Sequence, residues 1–221
     1  AATPFIRDKF LKVNSQTVDI NNFPIFGELE SPHAVQERSI VTYVGDITAI
    51  RGIRELVHAM EHVKSDIKLS IAGDFVDKHL ADEVRRQKGW ARTNEHGFLD
   101  RAGVRDLLSV SLAGLVTLQP TIHYIDSLPV KMLEYMSAGI PVIASNFPIW
   151  REIIEGNNCG ICVDPLDPIA IATAIDVLVN DPDRARQMGQ NGKKAVLEKF
   201  TWDTEEKKLL NLYENLLWEQ P

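Results

Sequence analysis

From residue 39 onward, apolar and polar positions follow two alternating periods. Short apolar runs, most of them rich in β-branched residues, predict six strands, at residues 39–44, 67–72, 96–99, 113–118, 141–145 and 160–163. Between and after them, apolar residues spaced three and four apart predict helices, at residues 52–63, 79–88, 104–109, 149–155, 167–179, 183–200 and 203–218. This alternation predicts an α/β fold, a Rossmann-like parallel sheet with helices on both faces.

The first 37 residues depart from this pattern. The sequence predicts a short helix at residues 4–10, a short strand at residues 17–20 and a polar linker at residues 28–37. The chain opens with Ala1-Ala2-Thr3-Pro4 and no methionine, which we interpret as a truncated or processed chain.

One further helix is marked by its punctuation. Ser127 is predicted to cap its N-terminus, with Pro129 in the first turn, Gly139 at the C-terminal cap and Pro141 beyond it. Asp126 precedes this helix, and Glu134 lies eight residues later, about two turns inside it.

Ligands of such sheets bind at the carboxyl ends of the strands, near the point where the strand order reverses. The predicted site therefore lies near Gly45, Gly73, residues 120–126 and Ser145. In the loop 45–52, a strand ends at Gly45 and Arg51 opens a helix. A guanidinium beside free helix N–H groups favours a phosphate. An ordinary turn with a solvated Arg51 is the alternative.

The segment 126–134 is the second candidate. Asp126 and Glu134 could accept hydrogen bonds from hydroxyls of one extended ligand, and Lys131 with the helix N–H groups between them suits a diphosphate. The arrangement fits a sugar, a diphosphate and a ribose in a row. A capped surface helix with scattered charges is the alternative that spacing alone leaves open.

Composition narrows the function classes. The formal net charge of -7 argues against a broad nucleic-acid surface. No apolar run reaches the ~18 residues that a membrane-spanning helix needs. Cys159 and Cys162 lie in an apolar, strand-like stretch without a second ligand pair, so we interpret them as reduced, structural thiols. No metal site is predicted.

A resemblance adds to these patterns. The stretch S-L-P-V-K-M-L-E-Y-M-S-A-G-I-P-V-I-A-S, residues 127–145, resembles the signature of glycosyltransferase group 1, also called family 4. Five other stretches resemble family elements in the same order: Y-V-G-D-I-T-A-I-R-G, I-A-G-D, H-G-F-L, N-N-C-G-I-C-V-D-P-L-D-P and F-T-W. The resemblance covers about residues 39–217 and implies the carboxy-terminal, donor-binding domain of a two-domain enzyme of the GT-B type.

The resemblance also implies roles for individual residues. Glu134 would bind the ribose hydroxyls, Asp126 would contact the donor hexose, and Arg51 would hold the diphosphate. Backbone N–H groups of Leu128 and Val130 would cradle phosphates, and Phe98 would contact the base. The predicted donor-binding set is Gly45, Arg51, Gly73, Phe98, Asp126, Ser127, Leu128, Val130, Lys131 and Glu134, with Asp126 and Glu134 as the candidate catalytic residues.

Three positions depart from the family pattern. Asp126 is shorter than the glutamate of the family, which weakens the expected hexose contact. Asp46 stands where many members carry an arginine, so its carboxylate would repel a diphosphate. Pro129 replaces a glycine and removes one N–H donor. We interpret Lys131 as compensating for the lost positive charge.

The resemblance implies transfer of a sugar, with retention at the anomeric carbon, from a nucleotide-diphosphate donor. A UDP-sugar is expected, because the motif P-x-K-x-x-E-Y-M resembles that of a branch of the family found in bacterial surface-polysaccharide gene clusters. No cofactor is expected. The acceptor, a glycan or a lipid-linked acceptor, would bind a missing amino-terminal domain. This chain alone is therefore expected to bind a nucleotide with little or no transfer of sugar.

The same resemblance gives the domain organisation. Residues 1–37 would be a remnant of the acceptor domain with its linker, residues 38–200 the nucleotide-sugar domain, and residues 201–221 a helix crossing back. Apolar residues of that helix favour self-association. We expect a cytoplasmic location, with the full-length protein associating peripherally with the membrane. A GT-B nucleotide-sugar epimerase and a non-catalytic nucleotide-binding module are the alternatives. A dinucleotide oxidoreductase is disfavoured, because no G-x-G-x-x-G follows the first strand.

Overall fold

The computed structural model describes residues 1–30 and 38–218. Six parallel strands form one sheet: β1 Ile40–Val44, β2 Lys68–Ala72, β3 Thr93–Glu95, β4 Ser111–Val116, β5 Val142–Ser145 and β6 Gly160–Val163. Their order in the sheet is β3-β2-β1-β4-β5-β6. The first three strands are added toward one edge of the sheet and the last three toward the other, so the switch point lies between β1 and β4. This is the Rossmann-like order, and the predicted fold class is confirmed.

Ten helices accompany the sheet in the described ranges. They are α1 Pro4–Phe10, α2 Ile53–His62, α3 Lys78–Arg85, α4 Arg101–Ser109, α5 Ile122–Ile125, α6 Val130–Ser137, α7 Pro148–Ile154, α8 Pro168–Asn180, α9 Pro182–Lys199 and α10 Trp202–Trp218. Thr3 caps α1 and Asp167 caps α8 through side-chain oxygens, each followed directly by proline.

Two apolar clusters cover the two faces of the sheet. One packs α2, α3 and α8 against Val41, Tyr43 and Leu115, and the other packs α4, α6, α7 and α9 against Val116, Val142 and Ala144. Because successive strand residues point to opposite faces, the central strands contribute to both clusters. All six residues of β4 are buried, which explains their continuous apolar character in the sequence.

Four predictions about elements were wrong. No strand forms at residues 17–20, which are irregular. The third strand is Thr93–Glu95 rather than residues 96–99, which form a loop. Ser127 does not cap α6, because the helix begins at Val130 with Pro129 at its N-cap and no side-chain cap. Glu134 therefore lies one turn, not two, inside the helix. The predicted linker 28–37 falls largely on residues 31–37, outside the described residues.

The amino-terminal segment packs against α10. Glu205 of α10 is fully buried and accepts hydrogen bonds from the backbone N–H of Asn21 (2.9 Å) and from Lys208 (2.7 Å). The Trp202 N–H donates to the Pro24 carbonyl at 3.0 Å. Farther along α10, Leu210, Tyr213, Leu216 and Leu217 are exposed. The domain boundaries and the self-association stay predictions.

No helix within the described residues has both the length and the apolar character that crossing a bilayer requires.

Candidate functional site

Two cationic side chains meet above Gly45, the residue that follows β1. A Cβ atom built on Gly45 would lie 2.8 Å from Lys131 Nζ and 3.4 Å from Arg51 Nη1. Lys131 comes from the first turn of α6, and Arg51 from the 3-10 turn Ala49–Arg51 that precedes α2. The structure thus brings three of the predicted site residues together at the carboxyl end of β1.

The ammonium of Lys131 is buried without a hydrogen-bond partner among the described residues. It lies 4.0 Å from the centroid of the Tyr43 ring, whose π-face attracts a cation. Burial, together with the nearby positive charge of Arg51, lowers the pKa of Lys131 to about 7. A buried cation that lacks an acceptor is suited to receive an anion.

Asp46 pairs with Arg51 at 3.3 Å (Oδ2 to Nη2). The Asp46 side chain is 69% exposed, so this is a weakly held surface pair that solvent screens. The Asp46 carboxylate offsets part of the positive charge of Arg51.

The N-terminus of α6 offers unpaired N–H groups beside the two cations. Within the described residues, the N–H groups of Leu128 and Val130 donate to no acceptor. The Ser127 hydroxyl donates to the Tyr124 carbonyl at 2.9 Å, and Trp150 Nε1 donates to the Ser127 carbonyl at 2.7 Å. Buried Trp150 therefore fixes the loop that presents these N–H groups, and Ser127 contributes loop structure in place of the predicted helix cap.

Glu134, one turn into α6, is held by a residue that sequence reasoning missed. Arg101 Nη1 donates to Glu134 Oε1 at 2.7 Å. The same guanidinium donates to Glu28 through Nε at 2.9 Å and Nη2 at 2.5 Å. Hydrogen bonding to Arg101 lowers the pKa of Glu28. Glu134 makes no other hydrogen bond within the described part of the chain.

Gly73 and the loop that carries Phe98 adjoin the site from the β2 side. A Cβ on Gly73 would lie 2.1 Å from the Gly45 carbonyl oxygen, so the two loops are in direct contact. The Gly73 N–H donates to the Gly97 carbonyl at 2.7 Å, and the Phe98 side chain is 76% exposed. An exposed aromatic ring beside a ligand cleft is available for stacking.

Two predicted positions are not joined to this cluster by any hydrogen bond in the described ranges. Asp126 follows the short helix α5, where its backbone N–H donates to the Tyr124 carbonyl, and its half-buried side chain makes no hydrogen bond within the described residues. Ser145 is fully buried, and its hydroxyl lies within hydrogen-bond distance of the carbonyls of Leu118 (2.7 Å) and Val116 (3.3 Å). The Ser145 side chain is therefore committed to the sheet and unavailable to a ligand.

Three contributors were absent from the sequence prediction. Arg101 directly follows the H-G-F-L-D stretch that carries Phe98, so its charge beside a predicted ligand loop was a usable signal. Tyr43 lies in the predicted strand 39–44, and Trp150 lies in the predicted helix 149–155. Nothing in their spacing indicates a ring under Lys131 or a donor to the Ser127 carbonyl.

Fold and site together define a class: a Rossmann-like domain with two basic side chains converging at the switch point of its sheet. A sequence model of the family described as "Glycosyl transferases group 1" matches residues 28–195. The chain therefore belongs to the group 1 glycosyltransferases.

Relatives and solved structures agree with this membership. An alpha-maltose-1-phosphate synthase of Mycolicibacterium smegmatis is 29% identical over 186 residues, which is 80% of this chain and 48% of that protein. An alpha-D-kanosaminyltransferase of Streptomyces kanamyceticus is 25% identical over 193 residues, 86% of this chain and 49% of that protein. The chain thus spans about half the length of the curated relatives that it matches.

Among solved structures, Anabaena HepE in complex with UDP superposes with a TM-score of 0.82 at 15% identity. The match covers 97% of this chain and 63% of that one. At this identity the likeness bears on the fold alone. The neighbours are GT-B glycosyltransferases, so the expected GT-B architecture is confirmed.

Proposed function

We propose that this chain is the donor-binding part of a retaining glycosyltransferase that takes its sugar from a nucleoside diphosphate, with UDP-sugars as the donor class. The transfer would build a surface glycan on a glycan or lipid-linked acceptor in the cytoplasm, at the inner face of the membrane. The acceptor would bind a part of the full-length protein that this chain does not include.

The convergence of Lys131 and Arg51 above Gly45 carries the proposal. Two basic side chains that converge on Gly45, beside unpaired N–H groups at the start of α6, suit the negative charge of a diphosphate. The fold neighbour HepE has been crystallised with UDP and with UDP-glucose, which supports the choice of UDP for the first test.

The proposed chemistry follows from where charge develops. As the bond from the anomeric carbon to the diphosphate oxygen breaks, negative charge grows on the leaving phosphate. Lys131, Arg51 and the N–H groups of Leu128 and Val130 would stabilise that charge electrostatically. Glu134 would accept a ribose hydroxyl, and Asp126 would face the donor sugar.

The direct test is calorimetric titration of the chain with UDP, GDP, ADP and NAD. We expect one nucleoside diphosphate to bind, and Arg51→Gln to weaken it about ten- to hundredfold, the loss expected for a charge-assisted contact. Arg54→Gln is the matched control, because Arg54 lies one turn along, is paired with Glu83, and points away from Gly45 in its contacts. Binding of NAD alone, or equal loss in both variants, would contradict the proposal.

Catalysis needs the full-length protein. A donor screen read by mass spectrometry should give a glycosylated acceptor, whose anomeric configuration by NMR matches that of the donor. An epimerised nucleotide sugar would instead identify the epimerase alternative, and tight nucleotide binding with no product would identify a non-catalytic module. Transfer by this chain alone would contradict the assignment of the acceptor site to a missing part.

A further inference from the structure

The guanidinium of Arg101 joins two carboxylates that are distant in sequence. Arg101 is the first residue of α4, and the Asp100 side chain caps that helix by accepting from the Gly103 N–H at 2.8 Å. This cap fixes where the Arg101 backbone lies. Two of its nitrogens bind both oxygens of Glu28 as a fork, and the third binds Oε1 of Glu134. Hydrogen bonding to Glu28, followed by that to Glu134, raises the pKa of Arg101, so the cation is permanent.

The contact to Glu134 is one-sided. Only Oε1 is engaged, and within residues 1–30 and 38–218 the other oxygen, Oε2, has no partner. The Glu134 side chain is 17% exposed, so most of it is removed from water. A carboxylate with so little contact with water needs a hydrogen-bond donor, and a donor on one oxygen fixes where the other oxygen points.

We propose that Arg101 is a positioning residue for the donor site, which orients Glu134 so that Oε2 is free to accept a ribose hydroxyl. The fork to Glu28 orients the guanidinium, so the segment around residue 28 sets the geometry of the ribose contact. This inference rests on the proposed function, because that function assigns the ribose hydroxyls as the hydrogen-bond donors to Glu134.

The opposite arrangement would be competition, in which Arg101 occupies Glu134 and must leave before a nucleotide binds. The geometry favours positioning for two reasons. Two of the three hydrogen bonds go to Glu28, so Arg101 stays anchored without Glu134. The single bond to Glu134 leaves a free oxygen, which a competing guanidinium would have covered.

The test compares UDP with 2′-deoxy-UDP, or the corresponding pair for whichever diphosphate the titrations select. The chain should prefer the ribose form about ten- to hundredfold, as expected for one lost charge-assisted hydrogen bond. In Arg101→Gln the preference should fall below about threefold, together with the affinity for UDP, as in Glu134→Gln. Arg101→Lys keeps the charge without the fork and should retain part of the preference.

Arg105→Gln is the matched control on the same helix, because Arg105 pairs only with its neighbour Asp106 in the described chain. It should leave both affinities unchanged. Glu28→Gln should lower the ribose preference partially, and thermal unfolding of every variant checks that the fold survives.

The outcomes separate this inference from the function on which it rests. If the unmodified chain binds no nucleoside diphosphate, the proposed function itself fails. If it binds one with a ribose preference that Arg101→Gln leaves intact, or without any ribose preference, the positioning role is wrong and the nucleotide site stands. Tighter UDP binding by Arg101→Gln would show competition and would also overturn the inference.

Discussion

At the scale of single residues, Lys131 is expected to lower the stability of the fold and to strengthen the binding of a diphosphate. Its ammonium is buried without a partner, and burial with the charge of Arg51 lowers its pKa from 10.5 to about 7. A pKa change of this size corresponds to an unfavourable contribution on the order of several kcal/mol to the free energy of folding at neutral pH. A bound diphosphate would supply the missing anion and raise that pKa again.

The pH dependence of donor binding should follow from this lysine. Above about pH 7 the free site increasingly holds neutral Lys131, so a diphosphate must bind together with a proton. The affinity for UDP should therefore fall as pH rises from about 7 to 9, by up to about tenfold per pH unit. Calorimetry in buffers of different ionisation enthalpy should show proton uptake on binding near pH 8. Binding that is independent of pH in this interval would contradict the prediction.

A second prediction concerns Lys131→Met, which should stabilise the fold although it weakens UDP binding. Because the unfolded chain binds the proton more tightly than the folded one, Lys131 lowers stability below its unfolded pKa, and most of all below about pH 7. Lys131→Met should raise the free energy of unfolding in that range while it weakens UDP binding and removes the proton uptake. Chemical denaturation at about pH 6 and 9 measures the difference, which should shrink at the higher pH.

At the scale of elements, the turn before α2 places Arg51 through a close backbone approach. Gly52 has φ +81°, and a Cβ on it would lie 2.1 Å from the carbonyl oxygen of Thr117. The turn thus packs directly on the end of β4, next to the switch point. Both constraints act on backbone atoms, which cannot rotate away.

Gly52→Ala should therefore cost about 3 kcal/mol or more in the free energy of unfolding, because the left-handed strain and the clash add. Gly139→Ala is the control: its φ is +70°, and the nearest atom to its Cβ would be Lys193 Cδ at 3.9 Å. That variant should lose only the conformational cost, about 1 kcal/mol. Equal losses by urea denaturation would show that the contact with β4 carries no weight. UDP affinity should also fall in Gly52→Ala, since Arg51 moves with the turn.

The elements also show how far the sequence could predict the structure. Buried strands such as β4 read correctly because burial on both faces demands continuous apolar residues. The edge strand Thr93–Glu95 is polar and pairs on one side, with β2, so its sequence looked like a loop, and the apolar pair Phe98-Leu99 was taken for the strand. The helix predicted at residues 167–179 begins where α8 does, because the Asp167-Pro168 pair marks a helix start locally. The prediction that Ser127 caps α6 was wrong because Trp150, more than 20 residues along the chain, donates to the Ser127 carbonyl and holds its loop outside the helix.

The candidate site also contains residues that the sequence could predict and residues that it could not. Gly45, Arg51 and Lys131 follow from strand ends and helix starts, which the order of elements already places at one edge of the sheet. The partners of Glu134 depend on which long side chains reach it from other segments. The charge of Arg101 beside the Phe98 loop was a signal, but Arg101 lies 33 residues from Glu134, so spacing along the chain does not indicate that it joins Glu134 to Glu28.

At the scale of the whole molecule, residues 21–24 of the amino-terminal segment pack against the end of α9 and the start of α10. Glu205 is buried at their junction, where it holds the Asn21 backbone N–H, and the Phe23 and Phe200 rings meet edge to face at 5.6 Å. Glu28 and Glu30 of the same segment pair with Arg101 and Lys193 of the sheet domain. The amino-terminal segment is thus tied to α10 and, through Arg101, to Glu134 of the candidate site.

Removing the buried carboxylate should loosen this packing without unfolding the sheet. Glu205→Ala leaves the Asn21 N–H without its acceptor, which should cost about 1–3 kcal/mol locally. Hydrogen exchange should accelerate in residues 17–24 while the central strands stay protected. Glu206→Ala, at an exposed neighbouring position of α10, should change neither region. Because the segment also carries Glu28, loosening it should weaken the ribose preference of the donor site. Faster exchange in residues 17–24 with an unchanged preference would show that the amino-terminal segment and the donor site are not coupled.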